Sequence, residues 1–503
     1  MSSHKQIKIG AIISYLTLAF NILAGIIYTP WMIRHIGMSN YGLYILVNSF
    51  ISYFLMDFGL GQAIARYISK YRAEQNQTKI NQLLGITSKL YLGINTAIFV
   101  ILIVLYFFIE NIFVKLNATE IVLFKEVYLI AGAFSLISFP FLTLDGVLIA
   151  YEKFIVLKSC EIISKVATIG LMIFAILMGY QLYALILVNA IVGLSIIVIK
   201  TTYLYRQTTI RVAFSYSDST LLKEIFSFSI WTTVIAIAQR LLINIAPVIL
   251  GIVSGTSQIA IFSIAIIIEG YIWTLAHALN GLFLPKVTQL HNLENNVEEV
   301  TKLMIKVGRF QLFLMGLVFI GIITLGKPFI QLWMGTQFSD AYLVMLFLVL
   351  PGFITLTQEI AQTYLVVVNE LKYRAIIFIS SSIISVIISF VLAPTYGALG
   401  CGIGIFTATM LCHVIGMNVI YHKILKINIV HFFTKCFSSF LFPLFLTLLF
   451  GYSISSFITI NSWFLFIFAG ILLSTFYLFV IWFLGLHKEE KTFIKATILN
   501  KLK

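Results

Sequence analysis

The sequence predicts an all-α protein that crosses a lipid bilayer about fourteen times. Its composition is the first reason. Of 503 residues 60% are hydrophobic, 15% aromatic and only 10% charged, where a soluble domain carries about 25% charged residues. The second reason is the length of the apolar runs, which reach the ~20 residues that a helix needs to cross a hydrocarbon core. Barrel strands would alternate in polarity, and stretches such as Ile98 to Ile109 do not. With 8 Pro, 31 Gly and 4 Cys, the chain fits neither a disordered, a collagen-like nor a disulfide-stapled class.

The expected spans, in order, are 10–33, 41–65, 89–109, 121–149, 159–179, 181–199, 226–252, 258–284, 309–327, 341–366, 374–394, 398–420, 433–452 and 462–484. The first stays as a helix, because its apolar stretch is too long for a signal-peptide core and no small-residue cleavage site follows it. The others are tested together by their loops. With the N-terminus in the cytoplasm, every Lys and Arg falls on the cytoplasmic side except Arg34, Lys115, Lys125 and Lys327, which fall outside, and Arg240, which lies within a span. A missed helix would scramble this positive-inside bias downstream. The net charge of +14 therefore reads as topology and contact with anionic lipid, and no nucleic-acid partner is expected. Cys160, Cys401, Cys412 and Cys436 lie in or beside apolar runs without CxxC spacing and read as buried small side chains.

An internal repeat organises these spans. Pro30, Gly37 and the run Met-Ser-Asn-Tyr-Gly-Leu-Tyr44 answer Pro247, Gly255 and the run Thr-Ser-Gln-Ile-Ala-Ile-Phe262. At that offset the hairpin of spans 1 and 2 matches the hairpin of spans 7 and 8. Six spans per repeat is an even number, so the halves are parallel, which is a transporter architecture. The division follows as a six-helix lobe at 1–200, a cytoplasmic linker at 201–225, a second six-helix lobe at 226–420, and an appended helix pair with a basic tail at 421–503.

The stretch from Thr29 to Tyr71, TPWMIRHIGMSNYGLYILVNSFISYFLMDFGLGQAIARYISKY, resembles the opening hairpin of Wzx-type polysaccharide biosynthesis flippases in the multidrug/oligosaccharidyl-lipid/polysaccharide (MOP) exporter superfamily. Gly255 to Ala265 (GTSQIAIFSIA), Leu282 to Leu290 (LFLPKVTQL) and Ala393 to Gly404 (APTYGALGCGIG) agree in order and spacing. The resemblance implies two six-helix lobes forming a V around a cavity and working by alternating access. It implies as cargo an oligosaccharide repeat unit on undecaprenyl diphosphate, moved to the periplasmic leaflet for O-antigen, capsule or a related glycan. Membrane lipids and glycan polymerase or assembly proteins would be its neighbours.

Site residues are argued from the cost of polar groups in lipid, about 2.5–3.5 kcal/mol for a charge at the bilayer centre. Arg240 on span 7 and Glu269 on span 8 are nearly level, at ~18 and ~16 Å from the outer ends of their helices. Two roles are open: an ion pair that locks the hairpin, or a cavity cation for the diphosphate with Glu269 as counter-ion, a task for which a forked guanidinium is suited. Stripes at helical spacing mark the expected cavity walls. They are Thr233, Ala236, Arg240, Asn244 and Pro247; Glu269, Trp273, His277 and Asn280; Ser14, Thr17, Asn21 and Gly25; and Ser49, Tyr53, Asp57 and Gly61. The same stripes also fit plain small-residue and polar helix packing. Asp57 and the run of Thr355, Gln358 and Glu359 are the ion-coupling candidates, for H⁺ or Na⁺, with static pairing as the alternative. Arg66, Lys70 and Lys286 read either as ordinary positive-inside residues or as cations that also gather an anionic headgroup at the cytoplasmic mouth, and Arg34, basic and outside, is a candidate at the periplasmic exit.

No Walker loop, HExxH helix or GxSxG elbow occurs, so no enzyme, cofactor or metal site is expected. Two rival readings stay open: a multidrug exporter of the same superfamily, and a membrane glycosyltransferase or polymerase acting on lipid-linked glycans.

Overall fold

The computed structural model describes residues 3–56, 58–277 and 283–492. Among these, all regular structure is helical. Helix α1 (Ser3–Ile36) turns through Gly37 into α2 (Met38–Ser52), which is followed by α3 (Leu60–Ala73) and α4 (Gln77–Ile112). Next, α5 (Ala118–Ser138) continues through a tight turn into α6 (Thr143–Ala150), and then come α7 (Phe154–Leu177), α8 (Gln181–Gln207), α9 (Ser219–Val253) and α10 (Thr256–His277). Beyond them lie α11 (Leu284–His291) and α12 (Asn296–Met334), with α13 (Ala341–Val349), α14 (Gly352–Thr355) and α15 (Glu359–Val367) sharing the tenth expected span. The series closes with α16 (Leu371–Tyr396), α17 (Ala398–Ala408), a π-helical stretch at Thr409–Gly416, α18 (Met417–Lys423), α19 (Ile429–Phe457) and α20 (Trp463–Val480).

Among the described residues, 13 helical segments are long and apolar enough to cross a membrane. They coincide with the expected spans except the second. The sequence predicts one helix over 41–65, but the chain leaves the helix after Ser52 and resumes at Leu60. Phe58 and Gly59, with φ of 50° and 67°, reverse the backbone between the two pieces. At 15 residues, α2 rises only ~22 Å. A second difference follows from the first: Arg66 and Lys70 are not loop residues but lie on the exposed face of α3, whose other face buries Ile64, Ile68 and Tyr71. Lys286 is likewise helical and exposed, in α11.

The repeat is visible in the hinges. Gly37 and Gly255 carry φ of 84° and 91°, a conformation open to glycine at no steric cost, and each joins a proline-containing helix to its successor. The hinges are tied together by Glu120, which accepts from the Ser39 hydroxyl at 2.6 Å and the Thr256 hydroxyl at 2.8 Å. The 201–225 segment resolves into the end of α8, a connection at 208–218, and the start of α9. Asp218 caps α9 by accepting from the amides of Leu221 and Thr220, and these bonds hold its carboxyl below the ordinary range.

The chain forms two compact units. The first runs to Ser263 and takes in Val386–Cys401; the second holds Ile264–Ser385 and the chain from Gly402. In the first unit α1 packs on α7, α3 on α6, α8 on α5 and α7, and α9 along α2, α3 and α4. In the second unit α12 carries α19, α20 and α15. Two glycines permit this close packing: a Cβ on Gly308 would sit 3.0 Å from Cys436 Sγ, and one on Gly316 would sit 2.8 Å from Tyr477 Oη. All four cysteines are free and buried.

Arg309, on α12, is 4% exposed and fixes the chain beyond α20. Its Nε and Nη2 donate to the two carboxylate oxygens of Glu490 at 2.6 and 2.8 Å, and further donors reach the carbonyls of Lys435 (3.2 Å) and Gly485 (3.0 Å).

Candidate functional site

The interruption between α2 and α3 exposes main chain that no helix serves. A helix end leaves four carbonyls without intrahelical partners, and in an apolar setting each must find a donor. Here all four do. The Ser49 carbonyl accepts from the Ser52 hydroxyl at 2.7 Å. The carbonyls of Phe50 and Ile51 accept from the amides of Tyr53 (3.4 Å) and Phe54 (2.9 Å). The fourth, that of Ser52, accepts from Arg240 Nη1 at 3.0 Å.

Arg240 belongs to a stripe that tracks the whole interruption. Asn244, one turn along α9, donates to Ser52 Oγ at 3.0 Å, and Thr233 donates to the Phe58 carbonyl on the far side of the gap. Gly59 is held against α9 as well, since a Cβ there would lie 2.7 Å from Thr232 Oγ1. The polar spacing expected on span 7 is therefore present, and within this unit its partner is unwound backbone. A guanidinium has five N–H donors. Its Nη1 reaches the Ser52 carbonyl, and the half-buried side chain carries a full positive charge beside non-helical main chain, an arrangement suited to an anionic oxygen.

The other expected residues are distributed as follows. Asn21 lies half-buried on α1. Glu269 belongs to the second unit, half-buried on α10, where it accepts a hydrogen bond from Trp273. His277 ends α10; its side chain, and Asp57 and Asn280 entirely, lie outside the described residues. Arg34 is exposed in the last turn of α1.

The second unit brings Gln358 and Glu359 together with groups that the sequence reading did not join to them. Both are buried, at 1% and 7% exposure. Gln358 Nε2 donates to Asn418 Oδ1 at 2.7 Å, and Asn418 Nδ2 to the Val414 carbonyl at 2.6 Å. Glu359 lies in the field of Arg374, whose guanidinium stands 5.6 Å from the Phe378 ring. That ring meets the His413 imidazole edge-on at 4.4 Å. Arg374 Nε and His413 Nε2 are buried without a hydrogen-bond partner, and both residues line a small cavity with Gln358, Gln362 and Tyr421. The π-helical turn at Thr409–Gly416 carries His413, and such turns are frequent at functional sites. Arg374 reads in the sequence as a loop cation, and His413 and Asn418 as isolated polar residues in an apolar span; their relation to the Gln358–Glu359 pair, Asn418 through Gln358 and His413 through Arg374, comes only from the fold. Among the described residues, no three His, Cys, Asp or Glu side chains are grouped to hold a metal ion.

A family model described as polysaccharide biosynthesis protein matches residues 8–278, a stretch that contains α2, its interruption and the α9 stripe. The chain belongs to this polysaccharide biosynthesis family. No curated protein matches the sequence. Solved structures similar to this member of the family share its fold at low identity. A lipid II flippase, MurJ, in an inward closed conformation is 15% identical over 94% of this chain and 97% of its own, with a TM-score of 0.68. An inward-facing multidrug resistance transporter of the MATE family, MOP superfamily, is 16% identical over 81% and 97%, with a TM-score of 0.63. A MOP superfamily transporter from Pyrococcus furiosus is 17% identical over 83% and 94%, with a TM-score of 0.54. The fold is that of the MOP superfamily: all-α and multi-pass.

Proposed function

We propose that the protein is a flippase that carries an oligosaccharide on undecaprenyl diphosphate from the cytoplasmic to the outer leaflet of a bacterial inner membrane, by alternating access. The reading rests on one observation above the rest: the family match covers a discontinuous helix whose free main chain is served by a half-buried guanidinium, Arg240. Discontinuous helices are where secondary transporters bind charged cargo, and a guanidinium keeps its charge when desolvated. The likeness to a lipid II flippase supports a lipid-linked cargo, and the glycan would serve O-antigen, capsule or related synthesis. Both termini lie in the cytoplasm in this reading, as the positive-inside pattern indicates. The cluster around Glu359 couples movement to a gradient of H⁺ or Na⁺, because a buried ionisable carboxylate in the field of Arg374 follows directly on Gln358, which lines a small cavity with Arg374 and His413.

The test is translocation of a fluorescent undecaprenyl-diphosphate oligosaccharide in proteoliposomes, comparing wild type with Arg240→Ala and Arg240→Lys. Movement by wild type, lost in the folded Ala variant, supports both the cargo and the role of Arg240. Failure of wild type to move the lipid under any ion gradient overturns the reading. The fold likeness to a multidrug resistance transporter favours one second reading, multidrug export, which the same vesicles test with a fluorescent dye.

A further inference from the structure

We propose that the first unit holds a second anion site, separate from the α2 interruption, that binds a phosphate group where α3, α4 and α8 converge. A cavity of about 490 Å³ opens there, lined by Arg72, Gln77, Tyr151, Arg206, Thr208 and Thr209 among others. Among the described residues that line it there is no carboxylate. The nearby Glu74 is turned to Lys79, at 3.6 Å.

Electrostatics favour an anion. The cavity receives the N-terminal end of α4 and the C-terminal ends of α3, α6 and α8, which at about half a charge each sum to roughly one negative charge. The two guanidinium groups outweigh it and leave the cavity positive. Arg72 is fixed: Nη1 donates to the Ala150 carbonyl, and the group lies 4.3 Å from the centroid of the Tyr151 ring. Those contacts use one face and one donor, so its remaining N–H groups are free for a ligand. Arg206 is exposed, and among the described residues it has no ion-pair or hydrogen-bond partner.

The wall opposite is preorganised. Asn81 pins the 208–218 connection to α4, accepting from the Arg211 amide at 2.9 Å through its side chain and from the Ala213 amide at 3.1 Å through its carbonyl. Gly85 permits that contact, for a Cβ there would fall 2.0 Å from the Ala213 carbonyl oxygen. Thr208 and Thr209 are thereby held at the rim. Arg72, already held by Ala150 and Tyr151, loses little entropy on binding, and forked N–H pairs match phosphate oxygens.

The depth of the cavity leaves two sources for the phosphate. Arg206 stands ~10 Å beyond the apolar end of its span, at the outer edge of a headgroup layer some 5–8 Å thick. A phospholipid phosphate from the membrane side and a soluble phosphate from the aqueous side both reach it.

The experiment titrates purified full-length protein in neutral detergent, by thermophoresis, with dihexanoyl phosphatidylglycerol, dihexanoyl phosphatidylcholine and inorganic phosphate. Saturable binding of the glycerol lipid, weakened about tenfold in Arg206→Gln and unchanged in Lys306→Gln, an exposed cation of the second unit, is the expected result. Thermal unfolding of each variant at the wild-type midpoint shows that the fold is intact. Competition by inorganic phosphate at similar concentration identifies a soluble phosphate as sufficient; competition by the lipid alone identifies a headgroup site. Equal binding of both lipids without competition by phosphate, or equal weakening by Lys306→Gln, overturns the proposal. No transport is measured, so this outcome is independent of the flippase reading.

Discussion

Arg240→Ala separates a cap from a bystander. The Ser52 carbonyl is the last acceptor of α2, and Arg240 Nη1, at 3.0 Å, is the donor it receives; Asn244 reaches only the Ser52 hydroxyl. Removing the guanidinium deletes a hydrogen bond from a charged donor, worth about 1.5–3 kcal/mol. It also removes a cation from the negative end of a helix, worth about 0.3–1 kcal/mol at an exposed end. Together the local cost is about 2–4 kcal/mol, a factor on the order of 30–1,000 in the opening equilibrium of the last turn of α2. Arg240→Lys keeps the charge and recovers part of it. Hydrogen exchange read by mass spectrometry in detergent reports this directly. The amides of Tyr53 and Phe54, which close the same turn, exchange faster by about that factor in Ala and by less in Lys. Unchanged exchange across residues 50–56 in Arg240→Ala would refute the cap. If exchange rises but translocation does not fall, the guanidinium holds the backbone and not the cargo.

Three further outcomes are expected. Gly59→Ala forces a Cβ onto a backbone with φ of 67° and to within 2.7 Å of Thr232 Oγ1, costing about 1–2 kcal/mol, seen as a lower thermal unfolding midpoint in detergent. Glu490→Ala leaves Arg309 buried without its counter-ion and destabilises the second unit by about 3–5 kcal/mol, whereas Arg309→Met with Glu490→Leu recovers most of the loss; similar midpoints for the single and double variants would contradict this. Burial pushes the Glu490 carboxyl up, but the Arg309 hydrogen bonds, the His487 amide and the neighbouring charges outweigh it and hold the carboxyl below its ordinary 4.5. The stability that this pair adds is thus complete above that ordinary value and lost as pH falls through the lower folded one, so the wild-type unfolding midpoint should lie above that of Glu490→Gln at pH 6 and converge on it as pH falls to 3. Glu359→Gln should remove stimulation of translocation by an imposed ion gradient while leaving the protein folded; undiminished stimulation would relieve Glu359 of the coupling role.

The spans were legible because lipid imposes a simple length rule on apolar runs, and the hinges because Gly37 and Gly255 must both adopt positive φ. The interruption of 41–65 was not legible, and the reason is physical. Tyr53-Phe-Leu-Met-Asp-Phe-Gly59 is as apolar as a continuing helix and contains no proline. In lipid such a segment leaves the helix only if distant groups satisfy its carbonyls, and those groups, Thr233 and Arg240, lie far along the chain. They were themselves visible as a polar stripe, which reads equally as a cavity wall or as helix packing until the unwound partner is known. The same holds for Glu359, whose polarity was plain while Arg374, His413 and Asn418 looked incidental. A polar stripe in an apolar helix records what some neighbouring backbone or side chain lacks, so the informative comparison is between each stripe and the spans that lack an obvious stop. Here that comparison pairs the stripe of α9 with the second span, where Gly59 and Gly61 were the only local sign of a break.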